Sequence, residues 1–120
     1  MNSQSAEGPI VVGLGEVLWD FFADSRLPGG APANVAFHAG QLGCRGAVCS
    51  RVGCDELGDQ LVQFLRGQAI ATDWIQRDPH HPTGTVTVNV GRDGEPRFTI
   101  HRDVAWDYLE LDDSLRELMG

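Results

Sequence analysis

The sequence predicts a single α/β domain: an open sheet crossed by helices, with a small antiparallel β accessory. Three observations predict it. Two short apolar runs stopped by glycines, "PIVVGLG" (9–15) and "GAVCSRVG" (46–53), read as buried strands of the parallel type. A helical stretch follows each of them, which is the βαβ rhythm. From residue 83 the period changes to two, the mark of a hairpin with one wet face.

Each element has its own local cause. "EVLWDFF" continues the first strand as an extended segment that leaves the main sheet, and "ADSRLPGG" is turn material. A helix is predicted from Pro32, since proline suits a first helical position, and Gly43 after Leu42 stops it. Ala33, Ala36, Ala39 and Gly40 are small enough to let that helix lie tightly on a sheet. The second helix takes Asp55 as N-cap, places Leu57, Leu61, Phe64 and Leu65 on one face, and ends at Gly67. In "TGTVTVNV" (83–90) Val86, Val88 and Val90 alternate with Thr85, Thr87 and Asn89. "GRDGEP" turns the chain, and "RFTIHR" (97–102) returns with Phe98 and Ile100 facing alike. The last stretch puts Leu111, Leu115, Leu118 and Met119 on one helical face, whose expected cover lies outside this chain.

Composition narrows the function. With 9 basic against 17 acidic residues the net charge is −8, which argues against binding a nucleic-acid backbone. No run approaches the roughly 20 apolar residues of a membrane span. The opening "MNSQSAEGP" lacks the basic and apolar regions of a signal peptide, so the expected location is the cytoplasm. Cys44, Cys49 and Cys54 stand five residues apart, a spacing that matches no common ligand set; the bland reading is buried, reduced thiols. His80-His81 lies in a polar, proline-flanked loop and is likewise not read as a metal site.

The glycines carry the chemistry. Gly13-x-Gly15 begins a dinucleotide pattern, but its third glycine would fall at Leu18, and a phosphate loop needs a lysine, of which the chain has none. A polyol site suits the residues better. Sugar hydroxyls both donate and accept, so they call for carboxylates, amides and bare backbone. Asp20, Gly29-Gly30 and Asn34 offer one of each, the alternative being a glycine turn with a locally packed asparagine.

"GGAPANVAFHAGQLGCRGAVCSRVG" resembles the first signature of the ribokinase (PfkB) family of carbohydrate kinases, met at Gly29, Gly30, Pro32, Asn34, Ala36, Gly43 and Gly53. "VVGLGEVLWDFF", "VGCDELGDQL" and "TGTVTVNVGRDGEPRFTIHRDVAWD" resemble its opening strand, its G-x-D-x-x-G segment and its lid strands, so the likeness runs from about Ile10 to Asp107. It implies a ribokinase-like, Rossmann-type three-layer body, here incomplete, with an antiparallel β lid whose strands lie at about 18–24 and 84–103. Residues 1–120 would be the N-terminal portion of such a kinase domain.

The resemblance also assigns roles. Asp20 corresponds to the carboxylate at the lid base that accepts from sugar hydroxyls, Gly29 and Gly30 to glycines that admit the sugar to the backbone, and Asn34 to the amide that holds a ring hydroxyl. Arg102 stands where fructokinase-like and ketodeoxygluconate-kinase-like members carry an arginine; an exposed lid arginine is the alternative. Asp55 and Gly58 read as helix cap and packing glycine.

The family reaction passes the ATP γ-phosphate to a sugar hydroxyl with Mg²⁺, using an aspartate base within D-T-x-G-A-G-D. Nothing here matches that run, so no catalytic residue and no metal ligand is expected in this chain, which alone is expected to be inactive and to bind neither ATP nor Mg²⁺. "GEVLWD" and "PGGAPANVA" favour a fructokinase-like substrate over a ribokinase-like one. A ketodeoxygluconate kinase and a non-catalytic sugar-binding or oligomerisation module are the alternatives. The expected partner is a small-molecule sugar, and the resemblance also allows a homodimer through the lid.

Overall fold

Ile10–Leu14 forms strand β1, and the computed structural model, which describes residues 8–119, pairs it in parallel with β4 (Arg45–Gly53), from Ile10↔Arg45 to Leu14↔Cys49. The opening nonapeptide's first seven residues, the Met119 side chain and Gly120, on which parts of the reading above fall, lie outside the described residues. Two parallel strands need a crossover, and helix α1 (Ala31–Gln41) belongs to it. A methyl group at Gly13 would overlap the Pro32 carbonyl oxygen, and one at Gly46 that of Ala36. Close helix-on-sheet packing therefore depends on strand glycines as well as on the buried Ala36 and Ala39; Gly40 is exposed.

A second crossover, helix α2 (Glu56–Gly67), leads to β5 (Ala71–Asp78), giving the sheet order β1-β4-β5. Asp55 caps α2 as the sequence predicts, accepting from the Gly58 N–H at 2.8 Å. Leu61 and Leu65 are fully buried and, with Val48, Val52, Val62, Ile70, Ala36, Val17 and Trp19, make the core. Each such leucine contributes about 1.5–3 kcal/mol by leaving water. Phe64, expected on the same face, is instead 40% exposed.

A second sheet has the order β3-β2-β6-β7, from β2 (Leu18–Phe21), β3 (Arg26–Gly29), β6 (Gly84–Val90) and β7 (Pro96–Ile100). The β6–β7 hairpin is antiparallel as the alternation predicts, but β2 and β6 run parallel, because the chain passes through the whole body between them. The sheet is thus mixed. Strand β2 ends at Phe21, and Arg26–Gly29, read as turn from its proline and glycines, forms the edge strand β3 against β2. The Trp19 indole N–H donates to the Leu57 carbonyl of α2 at 2.9 Å, and the Arg26 guanidinium lies 4.5 Å over the indole ring.

Helix α3 (Asp113–Met119) brings Leu115 and Leu118 beside Val12, Leu14 and Cys49 around one cavity and leaves Leu14 exposed. Leu115 is buried within this chain, contrary to the expectation that its cover lies elsewhere, whereas Leu111 stays exposed. All three cysteines are free; Cys49 is buried, but Cys54 is exposed and so is not the buried thiol the sequence predicts. No helix among the described residues is long and apolar enough to cross a membrane.

Candidate functional site

The site begins where the chain leaves β1 for the second sheet. The Gly15 N–H donates to the Cys49 carbonyl at 3.2 Å and the Val17 N–H to Ser50 Oγ at 3.3 Å, which pins this passage to the end of β4. Beyond it the chain is extended, so Glu16, Leu18 and Asp20 project from one face. Each carboxylate lies over a glycine of a neighbouring strand. A methyl at Gly29 of β3 would overlap Asp20 Oδ2 and sit 3.2 Å from Leu18 Cδ1; one at Gly84 of β6 would overlap Glu16 Oε2 and sit 3.5 Å from Leu18 Cβ. Leu18 pairs with both glycines, so the two carboxylates flank it.

Gly30 is the N-cap of α1 with φ +111°, a conformation glycine adopts at little cost. A methyl there would overlap the Glu16 carbonyl oxygen. The groups that crowd Gly29 and Gly30 within the chain are therefore Asp20 and the Glu16 backbone. Asn34 is exposed in the first turn of α1, and no described residue hydrogen-bonds its amide. No side chain caps that helix, so its first N–H groups have no side-chain acceptor.

The structure thus places Asp20 against Gly29, with Gly30 next in the chain and Asn34 exposed in the first turn of the helix that Gly30 caps. Arg102 stands apart: it is exposed beyond the end of β7, the outer strand, and no described residue pairs with it. Glu16 stands in the GEVLWD stretch that the motif reading uses, but that reading gives it no site role. Burial, and secondarily the charge of Asp107, push its carboxyl above the usual range. Its signal in the sequence was the two-residue alternation Glu16, Leu18, Asp20.

A separate polar cluster lies at the ends of β4 and β5. Buried Asp78 accepts from Arg51 Nε at 2.9 Å, from the His80 and His81 N–H groups at 2.8 and 3.0 Å, and contacts His81 Nδ1 at 3.0 Å. The His81 ring stacks on Tyr108 with centroids 3.6 Å apart, and the Tyr108 hydroxyl donates to Asp103. The burial opposes the Asp78 charge, but these donors and the Arg51 cation hold its carboxyl well below the usual range.

The model of the pfkB family of carbohydrate kinases matches residues 14–118. The chain belongs to that family. The Arabidopsis thaliana protein named "Probable fructokinase-5" is 32% identical over 124 residues, covering 93% of this pfkB-family chain and 38% of that protein. The structure of Halothermothrix orenii fructokinase superposes with a TM-score of 0.77 at 34% identity, over 92% of this chain and 43% of that one. The fructokinase from Xylella fastidiosa with bound ATP gives 0.74 at 32% identity, over 84% and 33%. The pfkB-family chain therefore spans about two fifths of the length of the curated relatives it matches. Its α/β body and mixed sheet are those of the ribokinase-like fold.

Among the described residues no group of three His, Cys, Asp or Glu side chains is placed to hold a metal ion, and the sequence carries neither a phosphate-loop lysine nor D-T-x-G-A-G-D.

Proposed function

We propose that this chain is the sugar-recognising, N-terminal portion of an ATP-dependent carbohydrate kinase of the fructokinase type, with its second sheet as the lid. The observation that carries the reading is the Asp20 carboxylate seated over Gly29, beside the glycine-capped start of α1. A sugar hydroxyl donates to Asp20. The Asn34 amide can both donate and accept, and the first N–H groups of α1 donate. Three kinds of group converging from a strand, a turn and a helix fix the orientation of a polyol. Fructose is the favoured substrate because relatives above 30% identity are named fructokinases. In the complete family enzyme the phosphoryl group comes from ATP with Mg²⁺; this chain's residues hold the acceptor sugar. A cytoplasmic setting accords with three unpaired cysteines.

Calorimetric titration of the chain with fructose, ketodeoxygluconate and ATP tests the reading. Saturable fructose binding that is lost in Asp20→Ala and Asn34→Ala supports it. A folded chain that binds no sugar contradicts it, and a preference for ketodeoxygluconate would move the substrate class.

A homodimer through the lid is the associated proposal on assembly. Leu27, Phe98 and Ile100 are 57%, 64% and 64% exposed and lie, by strand register, on the Asp20 face of the second sheet. Such an apolar face is what a second copy would cover. Sedimentation equilibrium of the chain and of Phe98→Asp decides it: a dimer abolished by the substitution is expected, and a monomeric unaltered chain refutes it.

A further inference from the structure

We infer that Glu16 is a second sugar-binding carboxylate, which takes a hydroxyl on the side of Leu18 opposite Asp20 and so sets which polyols fit. The inference rests on the sugar-kinase reading above and deepens it.

Three observations carry it. The first is placement. Glu16 and Asp20 emerge from the same face of the chain two residues either side of Leu18, and each lies flat over a glycine, Gly84 and Gly29. Glycine at both positions leaves room for a carboxylate that any side chain would displace. The second is satisfaction. The Glu16 carboxylate is half-buried, yet no described residue donates a hydrogen bond to it, and the charged group that acts on it is another carboxylate, Asp107 of the 3-10 turn Ala105–Tyr108. A carboxylate taken partly out of water and given no protein donor is less well solvated than a free one, and a ligand that brings donors restores that solvation. The third is anchoring. The Glu16 backbone is held by close packing of its carbonyl on Gly30 and by the neighbouring Val17 N–H bond to Ser50, so the side chain springs from a fixed point.

The ligand chemistry follows. The site offers two acceptor carboxylates on either side of an apolar contact, over strands separated by β2, which suits hydroxyls at opposite ends of one uncharged polyol better than an anionic sugar acid. Its desolvation raises the proton affinity of Glu16, as expected of a group waiting for donors.

The test is calorimetric titration of the full chain, its Glu16→Gln variant and Asn34→Ala with fructose and its monodeoxy analogues. A hydrogen bond to a charged group predicts a roughly ten- to hundredfold weaker fructose affinity in Glu16→Gln. It also predicts one deoxy analogue that binds weakly to the unaltered chain but suffers no further loss in the variant. A merely structural Glu16 would weaken all analogues alike, and that result, or an affinity within twofold of the unaltered chain, overturns the inference while leaving the sugar-site reading intact. Absence of fructose binding in a folded unaltered chain overturns both. Carboxyl ¹³C titration of the unaltered chain gives a reading independent of the variant's folding: the Glu16 pKa falls when fructose is bound, and an unchanged pKa at saturation overturns the assignment.

Discussion

Thr83 Oγ1 donates to Asp55 Oδ1 at 2.6 Å, and the Thr83 N–H donates to Asp55 Oδ2 at 3.0 Å. The carboxylate that caps α2 thereby also fixes the residue before β6, and the Gly53 N–H completes the knot by donating to Thr83 Oγ1 at 2.9 Å. One aspartate joins the end of β4, the start of a helix and the root of the second sheet.

Removing the hydroxyl leaves the buried Gly53 N–H without its acceptor. Thr83→Val is therefore expected to cost about 1–3 kcal/mol, and Thr83→Ser to retain most of the stability. Urea unfolding of the two variants checks this; equal midpoints would show the knot to be idle.

Stability should fall in acid for the same reason. Burial disfavours the Asp55 charge, but the donors from Thr83 and Gly58 and the Arg77 cation outweigh it and hold the carboxyl below its ordinary value of 3.8. A group depressed in the folded state stabilises it fully above the unfolded pKa and loses that contribution as pH drops through the folded one. Asp78 acts in the same direction. Melting temperatures should fall below about pH 4, and Asp55→Asn should flatten that acid limb while lowering stability at neutral pH.

Glu16 has the opposite sign. Its pKa is raised in the folded chain, so folding becomes less favourable as pH rises from 4.5 through the folded value and is then level. Glu16→Gln is expected to melt higher than the unaltered chain at pH 7, with the difference shrinking toward pH 4. A constant difference across that range would show that ionisation of Glu16 does not oppose folding.

The two adjacent glycines should fail differently. At Gly29 an added methyl meets the far end of the flexible Asp20 side chain, so Gly29→Ala is expected to weaken fructose binding at little cost in melting temperature. At Gly30 it meets backbone and the residue holds a positive φ, so Gly30→Ala should cost about 1–3 kcal/mol from backbone strain alone. Thermal melts beside sugar titrations separate the two effects; matching profiles for both variants would refute the distinction.

Incubated with ATP, Mg²⁺ and fructose, the 120-residue chain is expected to release no ADP above background, since its sequence has no D-T-x-G-A-G-D run and the described residues offer no metal-holding group. Fructose phosphate formed by the pure chain would reverse that.

Much of this fold could be read from local pattern. The strands at 10–14 and 45–53 and both long helices announce themselves by glycine-bounded apolar runs and caps. Two strands do not. Arg26–Gly29 is written in turn residues and is a strand only because β2 offers it an edge, where Pro28 needs no outer partner for its missing N–H. Ala71–Asp78 carries three charged or strongly polar side chains in its last half, Gln76, Arg77 and Asp78, and the buried Asp78 is paired with Arg51, 27 residues away, and with nearby His81. Phe64 was misplaced because helical periodicity locates a face but not its edges. The site shows the same division. Asp20, Gly29, Gly30 and Asn34 have roles that the family resemblance assigns, whereas Glu16, though it stands in the same GEVLWD stretch as Asp20, gains its meaning from Gly84, a contact made across 68 residues of chain.

The bond from the Trp19 indole to Leu57 and the knot at Thr83 together make the second sheet a cantilever. Both central strands, β2 and β6, are clamped at the body, one through a ring wedged beneath Arg26 and the other through Asp55. The far end is the turn between Val90 and Pro96. Any displacement of such a blade is expected to grow toward the hairpin tip and to be least at Glu16 and Asp20, close to the clamp.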